Sequence, residues 1–145
     1  MFENNTVFQL MKVARILRNK LDYMLNDHDI TASQFSVLNI LYQSEVPLAS
    51  SQIAAFLNSD RPTISGVIFR LEKKGLINRK KDDNDRRVEL LILTEKAKDV
   101  IDTLIEKSNL ISHEVNQIIS ETNDAKFNLT LMTLSDHFEK EGNKK

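Results

Sequence analysis

Seven basic side chains crowd a short stretch of this chain with almost no acid between them. Arg61, Arg70, Lys73, Lys74, Arg79, Lys80 and Lys81 face a single acid, Glu72. The stretch carries +6, which leaves −7 for the rest of a chain whose net charge is −1. Positive charge segregated in this way binds phosphate by neutralising it and releasing counterions, whatever the global balance. A solvated basic face is the plainer alternative for such a run taken alone. A second cluster follows in Asp82-Asp83-Asn84-Asp85-Arg86-Arg87. There the Asp85 carboxylate can accept charge-assisted bonds from Arg87 and hold its guanidinium extended for a narrow minor groove. Arg86 is then a phosphate contact, and the competing use of Asp85 and Arg87 is to tie a hairpin together.

Catalytic chemistry has no comparable signal. There is no glycine-rich phosphate loop, no G-x-S-x-G elbow and no assembled nucleophile and base. The chain has no cysteine, which removes disulfides, thiolate zinc sites and thiol sensing. His28, His113 and His137 lie far apart in sequence, so neither a metal nor a cofactor is expected. The N-terminal MFENNTVFQL lacks a basic region followed by an apolar run, and no apolar stretch approaches membrane-helix length. A cytoplasmic location is the expectation.

Three glycines and two prolines in 145 residues favour long helices. Val7, Leu10, Ala14, Leu17, Leu21 and Met24 recur at steps of three and four, giving a helix over 5–27. Thr31 and Gln34 form a capping box for a second helix carrying Phe35, Leu38 and Leu41. Pro47 stops it, and Ser50 or Ser51 is expected to cap a third helix with Ile53, Ala54 and Leu57 inward. Asn58-Ser59-Asp60 is a turn, Asp60 caps a fourth helix, Pro62 sits in its first turn and Gly75 closes it. Leu76 to Lys81 and Val88 to Leu93 read as strands about the charged turn. Thr94 opens a long helix with a seam from Ala97 through Ile101, Leu104, Ile111 and Val115 to Ile118. Ser120 is expected to cap a last helix with Phe127, Leu131, Leu134 and Phe138.

Helix, helix, turn, helix and hairpin in this order make a winged helix-turn-helix in a mainly α (α+β) fold. One domain over 1–145 is expected. Within it, a DNA-binding head spans 31–94, with the helix-turn-helix at about 50–74 and the wing at 76–93. The helices at 5–27 and 95–140 carry more apolar seam than that head can cover, for which a second copy interlocked about a two-fold axis is the economical solution and a monomeric bundle folding back on itself the alternative. In such a head the fourth helix enters the major groove. Its side opposite Ile64, Ile68 and Leu71 holds Pro62, Gly66, Phe69 and Lys73, flanked by Ser65 and Arg70. Thr63 and Ser65 suit base edges or phosphates, and Arg61 suits guanine or phosphate; Arg70 and Lys73 suit the backbone. Ser51, Asn84 and Arg86 complete the expected DNA-facing set with Asp85 and Arg87.

Three segments carry a family resemblance. DRRVELLILT, Asp85 to Thr94, resembles the D-x-R-x-x-x-L-x-L-T wing signature of MarR-type transcriptional regulators. RPTISGVIFRLEKKGLI, Arg61 to Ile77, is similar to their recognition helix, and TASQFSVLNIL, Thr31 to Leu41, to their second helix. The resemblance covers essentially the whole chain. It implies a homodimeric regulator, foremost a repressor, on a pseudo-palindromic double-stranded DNA operator, often released by a small anionic or aromatic effector. Arg15, Arg18 and Tyr42 could edge an effector pocket between the dimer helices and the head. Gly66 stands where the family commonly has a long basic side chain, Phe69 where an acid is usual, and Ala97 where glycine is frequent. Phe69, if exposed, could contact a thymine methyl, but such a ring more often packs against the wing or the third helix. A winged-helix protein-interaction module with weak non-specific DNA binding is the alternative.

Overall fold

The computed structural model describes residues 4–122 and 124–142. Residues 1–3, 123 and 143–145 of the expected domain lie outside that description. Among the described residues, six α-helices and three strands follow in order: α1 Thr6–Leu25, α2 Ala32–Gln43, β1 Leu48–Ala49, α3 Ser50–Phe56, α4 Arg61–Lys73, β2 Ile77–Lys81, β3 Glu89–Leu93, α5 Glu95–Glu121 and α6 Phe127–Gly142. Two compact units divide the chain, Met1–Ser108 and Asn109–Lys145.

Local chemistry explains most boundaries. Asn5 accepts from the Phe8 amide to start α1. That helix ends at Leu25, two residues before the expected limit. A 3-10 turn over Asn26–His28 follows, and Asp29 takes a left-handed φ of 55° that short polar residues tolerate. The capping box of α2 forms as expected: Thr31 Oγ1 accepts from Gln34 N at 3.2 Å, and Gln34 Oε1 from Thr31 N at 3.1 Å. Neither Ser50 nor Ser51 caps α3. The cap is Ala49, whose amide donates to Gln52 Oε1 at 2.8 Å, so a glutamine one turn in does the work assigned to a hydroxyl. Ser120 also caps nothing, because α5 runs through it to Glu121 and α6 starts only at Phe127.

The sheet order is β1-β3-β2, antiparallel throughout, with Leu48 opposite Leu91 and Ile77 opposite Leu93. Two residues are too few to show alternation, so β1 had no pattern to announce it. Against this sheet, α2, α3, α4 and the start of α5 bury one core in which Leu38, Ile53, Ile68, Leu71, Ile101 and Leu104 are fully enclosed. Thr94 Oγ1 caps α5 by accepting from Ala97 N and donates to the Gly75 carbonyl at 2.7 Å, fastening α5 to the end of α4. The outer seams behave differently. Val7, Met11 and Ile16 of α1 lie exposed in the first unit. In the second unit α6 buries none of its residues, and Leu129, Met132 and Phe138 are each more than 60% exposed.

Glycine marks the end of α4. Gly75 has φ 70°, its amide bonds the Glu72 carbonyl at 2.9 Å and the Leu76 amide bonds Leu71 at 3.0 Å, a Schellman closure. A Cβ on Gly75 meets nothing within 4 Å, so only the dihedral resists substitution there. Gly66 is the opposite case, lying in regular helix with only the Arg70 guanidinium nearby. Gly75→Ala is therefore expected to destabilise the protein by roughly 1–2 kcal/mol, whereas Gly66→Ala should stabilise it by up to about 1 kcal/mol. Paired urea titrations of the two variants check the opposite signs.

Candidate nucleic-acid interface

Helix α4 begins on Asp60. Its Oδ1 accepts from Thr63 N at 2.8 Å and its Oδ2 from the Thr63 hydroxyl at 2.7 Å. These bonds hold the Asp60 carboxyl below the usual carboxylate range, the side-chain bond from Thr63 being the largest cause. They also change what Thr63 can offer. Its hydroxyl hydrogen is committed to the cap, so it can accept from a base edge but cannot donate to phosphate without breaking the cap. Thr63 itself is exposed in the first turn of α4.

Burial of Ile64, Val67, Ile68 and Leu71 turns the opposite side of α4 outward. Arg61, Pro62, Ser65, Phe69, Arg70 and Lys73 are exposed there, with Gly66 half-buried among them. The Arg70 guanidinium leans back along the helix, with Nη1 3.5 Å from where a Cβ on Gly66 would stand. That brings a cation from the last turn to the middle of the outward face. Phe69, expected to pack on the wing or on α3, is 54% exposed, with Lys73 Nζ 4.7 Å from its ring centroid.

Ion pairing sorts the seven bases. Arg79 forks onto Glu72 through Nε at 2.7 Å and Nη2 at 2.9 Å, and reaches Glu89 through Nη1 at 2.9 Å. Lys81 meets Glu89 at 3.1 Å, the residue directly opposite it across the strands. Both bases lower the pKa of the Glu89 carboxyl, the Lys81 bond most. Lys80 lies 3.8 Å from Asp83. Lys74 bonds the Asp29 carbonyl, its carboxylate at 3.1 Å and Gln34 Oε1 at 3.2 Å, tying the end of α4 to the α1–α2 junction. Among the described residues this leaves Arg61, Arg70 and Lys73 without an acidic partner. The structural role of Glu72 and Arg79, seven apart across a helix end and a turn, had no periodic signal in the sequence.

At the wing tip the acids are structural. Asp82 Oδ1 accepts from the Asn84 and Asp85 amides at 2.6 and 3.1 Å. Asp85 holds Arg87 as expected: Oδ1 accepts from its amide at 3.0 Å and Nε at 2.9 Å, and Oδ2 from Nη2 at 2.9 Å. The Arg87 side chain is nevertheless 91% exposed, so the fork aims the guanidinium without hiding it. Arg86 and Asn84 are exposed beside it. Ser51 is exposed at the second position of α3.

Of the three residues expected at an effector pocket, Arg18 and Tyr42 are tied to different neighbours. Arg18 donates to Ser33 Oγ, the Tyr42 hydroxyl donates to Asp102 Oδ1 at 2.8 Å, and Arg15 is exposed on α1. The Asp102 bond raises the Tyr42 pKa. Lys107, which the sequence did not single out, bonds both oxygens of Asp27 and the Met24 carbonyl at 3.0 Å. Among the described residues no cluster of three or more histidine or acidic side chains could hold a metal ion, and no helix is long and apolar enough to cross a membrane.

Residues 30–88 match the model of the MarR family. An uncharacterised HTH-type transcriptional regulator of Bacillus subtilis (strain 168), YwoH, is 32% identical over 91 residues, 63% of this chain and 65% of that protein. The match thus spans slightly less than two thirds of that relative's length. The structure of an S. aureus MepR–DNA complex superposes with a TM-score of 0.81 at 26% identity, covering 90% of this chain and 98% of that one. CouR from Rhodococcus jostii RHA1, bound to p-coumaroyl-CoA, shares the fold at 21% identity and a TM-score of 0.71, with 88% and 95% of the two chains covered.

Because bonding to Thr63 depresses the Asp60 pKa in the folded state, its stabilisation is fully present above the ordinary carboxylate pKa and is lost as pH falls through the depressed one. Thermal melts of Asp60→Ala should lie below those of the unaltered protein at pH 7, with the gap closing as the pH is lowered below about 4. A gap independent of pH would show that the carboxylate charge is not what caps α4.

Proposed function

We propose that the chain is a member of the MarR family, whose model its residues 30–88 match, and that it is a sequence-specific DNA-binding transcriptional regulator, most simply a repressor, acting as a homodimer. One observation carries this reading: the cations without an acidic partner, Arg61, Arg70 and Lys73, share the outward side of α4, while Arg86 and the aimed Arg87 stand at the wing tip. Four other bases of the stretch are held in internal ion pairs, so the charge left over is focused on the elements a winged helix brings to a duplex. In this reading α4 enters the major groove and the wing reaches the flanking minor groove. Arg61, Arg70 and Ser65 meet bases or phosphates, Pro62 and Gly66 allow close approach, and Lys73, Arg86, Asn84 and Ser51 contact the backbone.

The exposed apolar faces of α1 and α6 support the dimer, since such seams are covered in water only by another surface. Two heads on one two-fold axis then read half-sites about one helical turn apart. A small anionic or aromatic effector would act near Arg15, Arg18 and Tyr42 by displacing the Arg18–Ser33 or Tyr42–Asp102 bond, which joins α1 to α2 or α2 to α5. Only one head spacing would then match the operator.

Mobility shifts with genomic fragments test the proposal directly. A regulator retards a small preferred set with steep salt dependence; weak, uniform retardation would instead favour a protein-interaction module. Sedimentation should give twice the chain mass. Arg87→Ala is expected to weaken operator binding by roughly 1–3 kcal/mol with unchanged folding. Lys73→Ala should lower affinity evenly across sequences and reduce the salt slope by about 1, as loss of one phosphate contact requires. A changed sequence preference in Lys73→Ala would contradict the backbone role.

A further inference from the structure

Among the described residues of α4, Phe69 alone is large, apolar and exposed. Its setting is specific. One turn earlier stands Gly66, which has no side chain to shield the ring, and one turn later Lys73 places its ammonium 4.7 Å from the ring centroid. Arg70, beside it, carries its guanidinium back over Gly66. The ring therefore rises from a field of cations that no acid of the described chain neutralises. A surface complementary to it is anionic around its margin and carries a small aliphatic group at the centre. In duplex DNA the C5-methyl of thymine is such a group: it projects into the major groove between the phosphate strands, and the other three bases lack it.

We infer that Phe69 is a specificity-determining residue that packs on a thymine methyl in each half-site. This rests on the proposed reading of α4 as the major-groove helix. Lys73 occupies one side of the ring, which leaves the remaining face and edge for the methyl and keeps the ammonium near the adjoining phosphates. Gly66 adds no side chain of its own beside the ring, where only the Arg70 guanidinium stands nearby. The rule that follows is chemical: the contact should be lost when the methyl alone is removed.

The experiment uses the full chain and the preferred duplex recovered from genomic fragments. Thymines of that duplex are replaced one at a time by deoxyuridine, which lacks only the methyl. Binding should fall about fourfold for one position in each half-site, the effect of exposing a single buried methyl. Phe69→Ala should bind the thymine and deoxyuridine duplexes equally, Phe69→Leu should keep part of the difference, and neither exposed-site variant should shift the thermal melt. The inference is overturned if the unaltered protein is indifferent to every replacement, or if Phe69→Ala keeps the same penalty. A preferred duplex with no deoxyuridine effect sinks only the role of Phe69, whereas failure to select any duplex removes the regulator reading with it.

Discussion

Burial of one side of α4 governs what the rest of the molecule can present. Ile64, Val67, Ile68 and Leu71 insert between α2, α3 and the sheet, and Ile68 and Leu71 are wholly enclosed. Each such side chain contributes about 1.5–3 kcal/mol by leaving water. Turning the helix by one residue would bring Phe69 or Arg70 into that core and carry the aliphatic side chains out. The outward row of Arg61, Ser65, Gly66, Phe69, Arg70 and Lys73 is thus fixed by the inward one. The Asp60 cap and the Gly75 closure then set where the row begins and ends.

The head also partitions its own charge. Glu72 and Glu89 grip Arg79, and Glu89 grips Lys81, so the first strand of the wing is tied to the side of α4 and to its partner strand. These groups are partly solvent-exposed, and each pair alone is worth little. Their joint effect is geometric, because Arg79 can satisfy both carboxylates in one hairpin position only. Bases that look interchangeable as a run therefore divide into those held in internal ion pairs and those without an acidic partner among the described residues. The same division applies at the tip, where Asp82 and Asp85 use their oxygens on the loop and on Arg87.

A second set of ties reaches from the head to α5. Thr94 bonds the Gly75 carbonyl, Lys96 Nζ bonds the Lys74 carbonyl at 2.7 Å, and Lys107 grips Asp27 at the α1–α2 junction that Lys74 also clasps. The start of α5 and the end of α4 are consequently fastened to each other and to one loop. A displacement of the start of α5 has a mechanical route to α4. Gln34, only 3% exposed, sits within this route and is satisfied by Thr31 and Lys74 together.

Residue type and spacing alone determined the helix starts at Thr31, Asp60 and Thr94, the glycine stop at Gly75, the hairpin about residues 82–88 and the Asp85–Arg87 fork. Each of these depends on atoms within a few residues of one another, so the local pattern contains the interaction. Contacts between segments distant in sequence were decided only by the tertiary structure. Strand β1 exists because β3 has a second edge to offer it, and Phe69 is exposed because the burial of Ile64, Val67, Ile68 and Leu71 turns its side of α4 outward. Arg70 lies over Gly66 because the burial of α4 points it there, and Arg79 belongs to Glu72 because the hairpin folds back on the helix. A charge count sees seven equivalent bases along the chain. Only folding brings acids to some of them and leaves the others bare, since an ion pair depends on distance in space and not on distance in sequence.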